Sequence, residues 1–311
     1  MTPRDATSPR HRQLTRVNAH DLIGLRGYAR GLLAPGGPAR RQQAGPVRSA
    51  FRGRGMEFDE SRPYQAGDDL RSLDWRVMAR TGQPHTKLFR EERERPVLVC
   101  VDLRSHMSFA TRGTYKSVTA VEAAGLLGLA AVDHGDRVGG VVFTDGSFNE
   151  LRPQRGPKAA LRLIHALQEA QPADGVTSAP GPLNAPFHQA MGRLARVARP
   201  GSLVAVVSDF LGFGSAEEVR LLRVARHSDL ALVFVHDPLE QALPPPGLYR
   251  VSGPQGERLL DTRSSQVRET HHRRFQDRCD RLRSFCRGCG GRLLMCPTTA
   301  DPVRVLRGGF R

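Results

Sequence analysis

Three acids stand where apolar runs stop: Asp102 after VLVCV, Asp209 after SLVAVVS and Asp237 after DLALVFVH. Carboxylates converging on one rim suit a hard divalent cation such as Mg²⁺, which takes oxygen ligands and keeps several waters. A metal-dependent phosphoesterase using Asp102, Asp209 and Asp237 is therefore one reading. The competing role of each acid is to cap the turn or helix that follows. Arg104, Ser105 and His106 come directly behind the first acid. A guanidinium carries a permanent charge and no lone pair, so Arg104 beside Asp102 would substitute for a cation and not ligate one.

The elements that must bring these acids together alternate along the chain. Strands are expected at 97–102, 137–144, 202–210, 229–237 and 292–297, with a hairpin around Asp145 and Gly146. Helices are expected at 116–135, 157–170, 184–198, 216–227 and 266–291. Two short strand-like pieces fall within 238–264. Fully apolar strands alternating with helices imply an α/β fold, a doubly wound, mainly parallel sheet in a three-layer sandwich, with ligands at the carboxyl ends of the strands. In such a sheet the three acids share a rim.

Upstream, residues 1–16 lack periodicity and read as a disordered tail, and 17–47 as a helix with a linker. The block 48–95 is rich in charge and poor in apolar runs. It interleaves Glu57, Asp68, Asp69 and Asp74 with Arg62, Arg71 and Arg80. A lattice of ion pairs is expected there, packed on the following domain (96–311) and anchored by Tyr64 and Trp75. No His or Cys nucleophile sits alongside these acids, so a structural role or a partner-binding surface outweighs a catalytic one.

The string carrying Glu57, Phe58, Arg62, Tyr64, Gly67, Asp68, Asp69, Arg71, Asp74, Trp75 and Arg80, followed by Lys87, Phe89, Glu91 and Glu92, closely resembles the bacterial family called domain of unknown function 58. DRVGGVVF and SDF continue the likeness. The resemblance implies a von Willebrand factor type A domain, a protein-interaction module, with a MoxR-type AAA+ ATPase and other type A-domain proteins as partners. Type A metal sites take Asp-x-Ser-x-Ser after the first strand, a threonine from a middle loop and a later aspartate. Asp102 and Asp209 match the acids, whereas Arg104 and His106 stand at the serine positions, leaving Ser105 and Thr177 as substitute ligands. A degenerate, metal-free site and no cofactor are expected, so the leading expectation is a non-enzymatic adaptor that docks a protein at the rim.

Composition bounds the alternatives. The chain has 311 residues, 47 Lys and Arg against 31 Asp and Glu, and a net charge of +16. Only three of the basic residues are lysine. Either a polyanionic partner or an arginine-favouring codon bias gives this balance, and the scatter of the arginines favours the second. Nucleic acid is thus not the expected partner, although residues 268–287 are the place to look for it. Five cysteines, no secretory pattern and no apolar run of membrane-spanning length point to the cytoplasm. Of the four cysteines late in the chain, Cys279, Cys286 and Cys289 share one helical face, and the set reads as buried thiols more readily than as a zinc site.

Overall fold

The computed structural model describes residues 12–33, 56–65, 68–91, 95–172, 184–253 and 256–310. In chain order, two short helices, α1 (Ala19–Gly24) and α2 (Arg26–Ala29), precede β1 (Met56–Pro63), α3 (Trp75–Thr81) and β2 (His85–Glu91). Then follow β3 (Pro96–Asp102), α4 (Lys116–Asp133), β4 (Arg137–Phe143), β5 (Phe148–Gln154), α5 (Pro157–Ala170), α6 (Asn184–Val197), β6 (Leu203–Ser208) and α7 (Ser215–Ala225). The chain ends with β7 (Asp229–His236), α8 (Pro238–Gln241), β8 (Leu248–Gly253), β9 (Gly256–Asp261), α9 (Ser265–Cys289), β10 (Arg292–Pro297) and α10 (Pro302–Gly309). Met1–Ala34 with Arg95–Arg311 form one unit, and Pro35–Glu94 a second.

In the first unit six strands run in the order β10-β7-β6-β3-β4-β5, parallel except for β5. The central strands β3, β6 and β7 are buried on both faces, as their nearly unbroken apolar content requires. Val97, Val99 and Val101 face the helices α4, α5 and α10, and Leu98 and Cys100 face α6, α7 and α9. From β3 the chain winds one way through β4, and from β6 the other way through β7 to β10. That reversal opens a crevice between the carboxyl ends of β3 and β6, where α/β sheets bind ligands. Asp102 closes β3 and Asp209 follows β6. In β4, a Cβ at Gly140 would lie 2.0 Å from the carbonyl oxygen of Val99, so the Gly139-Gly140 pair is required by close strand approach.

Helix α4 is apolar on every side and must be covered on every side. Its outer face is covered by the N-terminal segment, whose Leu22, Leu25, Ala29 and Leu32 are buried in the same cluster. Arg12 pins the start of this strap: its guanidinium donates to Glu122 (2.7 Å), to Thr119 Oγ1 (3.2 Å) and to the carbonyl of Ala300 (2.8 Å). Gln171 exchanges two hydrogen bonds with the backbone of Val17. Arg12 to Arg16, expected within a disordered tail, instead belong to a clamped strap; residues 1–11 lie outside the described residues. The expected N-terminal helix is broken into α1 and α2 at Leu25. Helix α10 had no counterpart in the sequence reading.

The second unit is an antiparallel hairpin, β1 with β2, carrying α3 in its connection. Among the described residues of this block, the acids act chiefly as caps, and one of the expected ion pairs, Arg62 with Asp68, is formed. Asp74 accepts from the N–H groups of Arg76 (3.1 Å) and Val77 (3.2 Å) and from Ser61 Oγ (2.8 Å), and so starts α3. Asp69 caps the turn at Arg71 N. Asp68 pairs with Arg62 (2.7 Å) while also accepting from Gln65 N (3.0 Å). The Arg62 hydrogen bond holds the Asp68 carboxyl below its ordinary range. Arg71 and Arg80 are exposed and Tyr64 is half-buried. Trp75, expected as a buried anchor, is 64% exposed. Capping wins because short helices leave backbone N–H groups that a nearby carboxylate satisfies locally. Gly67 lies outside the described residues, as do the side chains of Glu57, Phe58, Phe89 and Glu91.

Because Leu22 sits fully buried against α4, Leu22→Ala is expected to lower unfolding free energy by about 2–5 kcal/mol in urea titrations. A loss below about 0.5 kcal/mol would show that the strap is dispensable to the core.

Candidate functional site

The β3–α4 loop leaves the crevice through Asp102, Leu103 and Arg104. Both charged side chains are completely buried. Arg104 meets Asp102 as a fork, Nε to Oδ1 at 2.9 Å and Nη2 to Oδ2 at 2.6 Å, with its own backbone N–H on Oδ1 at 3.2 Å. Ser208 Oγ donates to the same Oδ2 at 2.6 Å. The guanidinium carbon lies 5.7 Å from the ring centre of Phe143 and 5.3 Å from that of Phe187, within cation–π range of both. Burial opposes the charge of Arg104, but the Asp102 carboxylate raises its pKa above the usual value.

Asp209 is bound by different cations. Lys116 Nζ lies 2.7 Å from its Oδ2, His106 Nε2 3.2 Å from the carboxylate, and Arg104 Nη2 4.0 Å away. Lys116 also contacts Glu240 at 2.6 Å, and Glu240 lies 3.5 Å from Arg278. Three carboxylates, Asp102, Asp209 and Glu240, are thereby balanced by Arg104, Lys116 and Arg278. Burial alone would raise the Asp209 pKa, yet the Lys116 ammonium, aided by His106, holds it well below the carboxylate range. Burial would likewise lower Lys116, and Asp209 with Glu240 raise it.

The loop after β6 is tightly fixed. Phe210 has φ +54°, a left-handed conformation that strains a residue with a Cβ. Its N–H donates to Ser208 Oγ, the Leu211 N–H to Asp209 Oδ1, and the Leu211 carbonyl accepts from Arg104 Nη2 at 3.0 Å. Arg278 donates to the Asp209 carbonyl at 3.2 Å. On the other side, Ser105 N donates to Asp145 Oδ2 at 2.8 Å, tying the β3–α4 loop to the β4–β5 hairpin.

The third acid does different work. Asp237 accepts from Thr111 N (2.8 Å), Thr111 Oγ1 (2.5 Å), Leu239 N (2.8 Å) and Thr298 Oγ1 (3.1 Å). It is fully buried, and although burial opposes ionisation, the Thr111 hydrogen bonds keep its pKa below the usual value. Asp237 caps α8 and staples the 108–114 loop, so it does not offer the free carboxylate expected for a partner or for a phosphoester.

One atom each from Asp102, His106 and Asp209 fall within 4.8 Å of one another, a spacing open to a metal ion. The donor chemistry does not fit Mg²⁺: the same carboxylate oxygens already accept from a guanidinium and an ammonium, and His106 offers nitrogen where a hard cation takes oxygen. A dication would have to displace two built-in charges. Ser105 is buried, its backbone N–H engaged by Asp145; Thr177 lies outside the described residues.

The family described as "Protein of unknown function DUF58" matches residues 60–281, most of the chain. The chain belongs to that family. Uncharacterized proteins of Mycobacterium bovis and Mycobacterium tuberculosis are each 30% identical to this DUF58 protein over 261 residues, 80% of the chain and 77% of theirs. Among solved structures, the conserved hypothetical protein BatB from Bacteroides thetaiotaomicron matches with a TM-score of 0.40 at 14% identity, over 69% of this chain and 96% of that one. A von Willebrand factor type A protein from Catenulispora acidiphila matches with a TM-score of 0.32 at 12% identity, over 49% of this chain and 35% of that one.

The DUF58 crevice thus brings together Asp102, Arg104, His106 and Asp209, and leaves Asp237 to a separate structural role. Sequence reasoning missed Lys116, Glu240, Arg278, Ser208 and Asp145. Lys116 had a readable signal, being one of three lysines in an arginine-rich chain and set at the first turn of an apolar helix, where the helix dipole disfavours a cation.

Lys116→Met leaves Asp209 buried without its main partner, and a loss of about 3–5 kcal/mol is expected near neutral pH. Asp209, with its lowered pKa, stabilises the fold above the unfolded value of about 3.9, and Lys116, with its raised pKa, below about 10.4. The loss in urea titrations is therefore expected to be largest near neutral pH and to shrink as pH falls into the acid range, because burial without Lys116 favours the protonated form of Asp209. A deficit independent of pH would contradict the pairing.

Proposed function

We propose that this protein is a non-enzymatic interaction module of the von Willebrand factor type A kind, in which built-in cations replace the divalent ion and the rim docks a protein partner. The observation that supports it is the balanced set of three carboxylates, Asp102 and Asp209 fully buried and Glu240 half-buried, each facing a built-in cation. A metal-dependent phosphoesterase fits less well, because Asp237 is held by four donors in a capping role. The five thiols are buried and free, and burial pushes Cys286 and Cys296 up to about 12, which suits a reducing cytoplasm and not thiol chemistry. No described helix is long and apolar enough to cross a membrane.

The partner that accords with the family resemblance is a MoxR-type AAA+ ATPase. The exposed rim is built by the 108–114 loop, where Phe109 is 37% exposed beside the buried Lys116 and Arg112 is exposed. Aromatic and arginine side chains of this kind dominate protein interfaces. The ATPase is expected to be retained by the immobilised full chain in at least one nucleotide state, and Phe109→Ala with Arg112→Glu to weaken retention about tenfold, roughly 1.4 kcal/mol, without changing Tm. Failure to retain it with either nucleotide, or equal retention by the variant, would overturn this assignment.

A further inference from the structure

The arginines are unevenly distributed over the fold. Helices α6, α7 and α9 cover one face of the sheet and carry eleven arginines against five acids; α1, α2, α4, α5 and α10, on the other face, carry six basic residues against four acids. Many basic residues of the first face are not used internally. Arg196, Arg223, Arg226, Arg273 and Arg274 are exposed, and no carboxylate among the described residues pairs with them. Helix α7 contacts both α6 and α9 and so lies between them. Its outward stripe reads Val219, Leu222, Arg223, Arg226, the i, i+3, i+4, i+7 spacing of one helical face. Val219 is 51% exposed and Leu222 40% exposed.

We propose that this α6–α7–α9 face seats the protein on an anionic membrane surface, with the unpaired arginines binding lipid phosphates and Val219 and Leu222 entering the headgroup–acyl boundary. Guanidinium groups grip phosphate oxygens in pairs, and basic residues around an apolar strip are the pattern of peripheral binding to acidic lipid. A face for single-stranded nucleic acid would interleave its arginines with stacking aromatics, and one for a duplex would have no use for exposed aliphatic side chains among its phosphate-binding arginines. Here the residues beside Arg223 are aliphatic, which favours lipid. The α7 stripe contributes no side chain to the charge network around Asp209, which α9 joins only through Arg278, so the α7 substitutions leave that network intact.

The full chain is tested by flotation with vesicles of phosphatidylcholine alone and with about one third phosphatidylglycerol, and by titration with a duplex DNA. Binding is expected only to the anionic vesicles, and it should fall steeply between low and moderate salt. Arg223→Glu with Arg226→Glu should weaken it at least tenfold with an unchanged Tm, and Leu222→Ser should weaken it while keeping the salt dependence. No binding to anionic vesicles at low salt would overturn the proposal. So would DNA binding without vesicle binding, or vesicle binding unchanged by the α7 substitutions.

Discussion

The fork between Arg104 and Asp102 is the interaction on which the rim depends. Two opposite charges are removed wholly from water, which costs several kcal/mol per ion unless geometry and hydrogen bonding compensate. Here the carboxylate receives both arms of the guanidinium, a backbone N–H and a serine hydroxyl, while two aromatic rings flank the cation. Once the pair is in place, the remaining Nη2 contact to the Leu211 carbonyl fixes the loop after β6, including the strained Phe210. The conformation of one loop is thereby written into the charge pair of the other.

A chain of charges extends from this fork. Asp209 joins Arg104 to Lys116, Lys116 joins it to Glu240 on α8, and Arg278 brings in α9. His271 and His272 near the start of α9 accept the same task from the other side, holding the carbonyls of Leu239 and Gln241. Such a network resists piecemeal change, because removing Arg104 or Lys116 strands a buried carboxylate without its partner. The physics is that of a rigid, pre-formed charge network. A site that exchanged a hydrated metal would need carboxylates free to rearrange around it.

Much of the fold was legible because strands buried on both faces and helices buried on one leave strong periodic signals, as in VLVCVD and PKAALRLIHALQEA. The pairing of Arg104 with Asp102 was readable from chemistry, since a guanidinium two residues from a carboxylate offers it a bidentate partner. What was not legible came from groups far apart in sequence: Lys116 and Glu240, or Arg12 and Glu122, meet only after the sheet has wound. In the charged block, the capping role of the acids was not legible for a related reason. Acids such as Asp69 and Asp74 find backbone N–H groups two or three residues away before any arginine can reach them. Asp237 resembled Asp102 and Asp209 in its strand-end position, and only the proximity of Thr111 and Thr298 separates its role from theirs.

The most direct measurement is a calorimetric titration of the wild-type chain with Mn²⁺, alongside Asp209→Asn. The account predicts no saturable heat at millimolar metal, because the crevice carboxylates already hold Arg104 and Lys116. Saturable binding by the wild type that Asp209→Asn abolishes would contradict it.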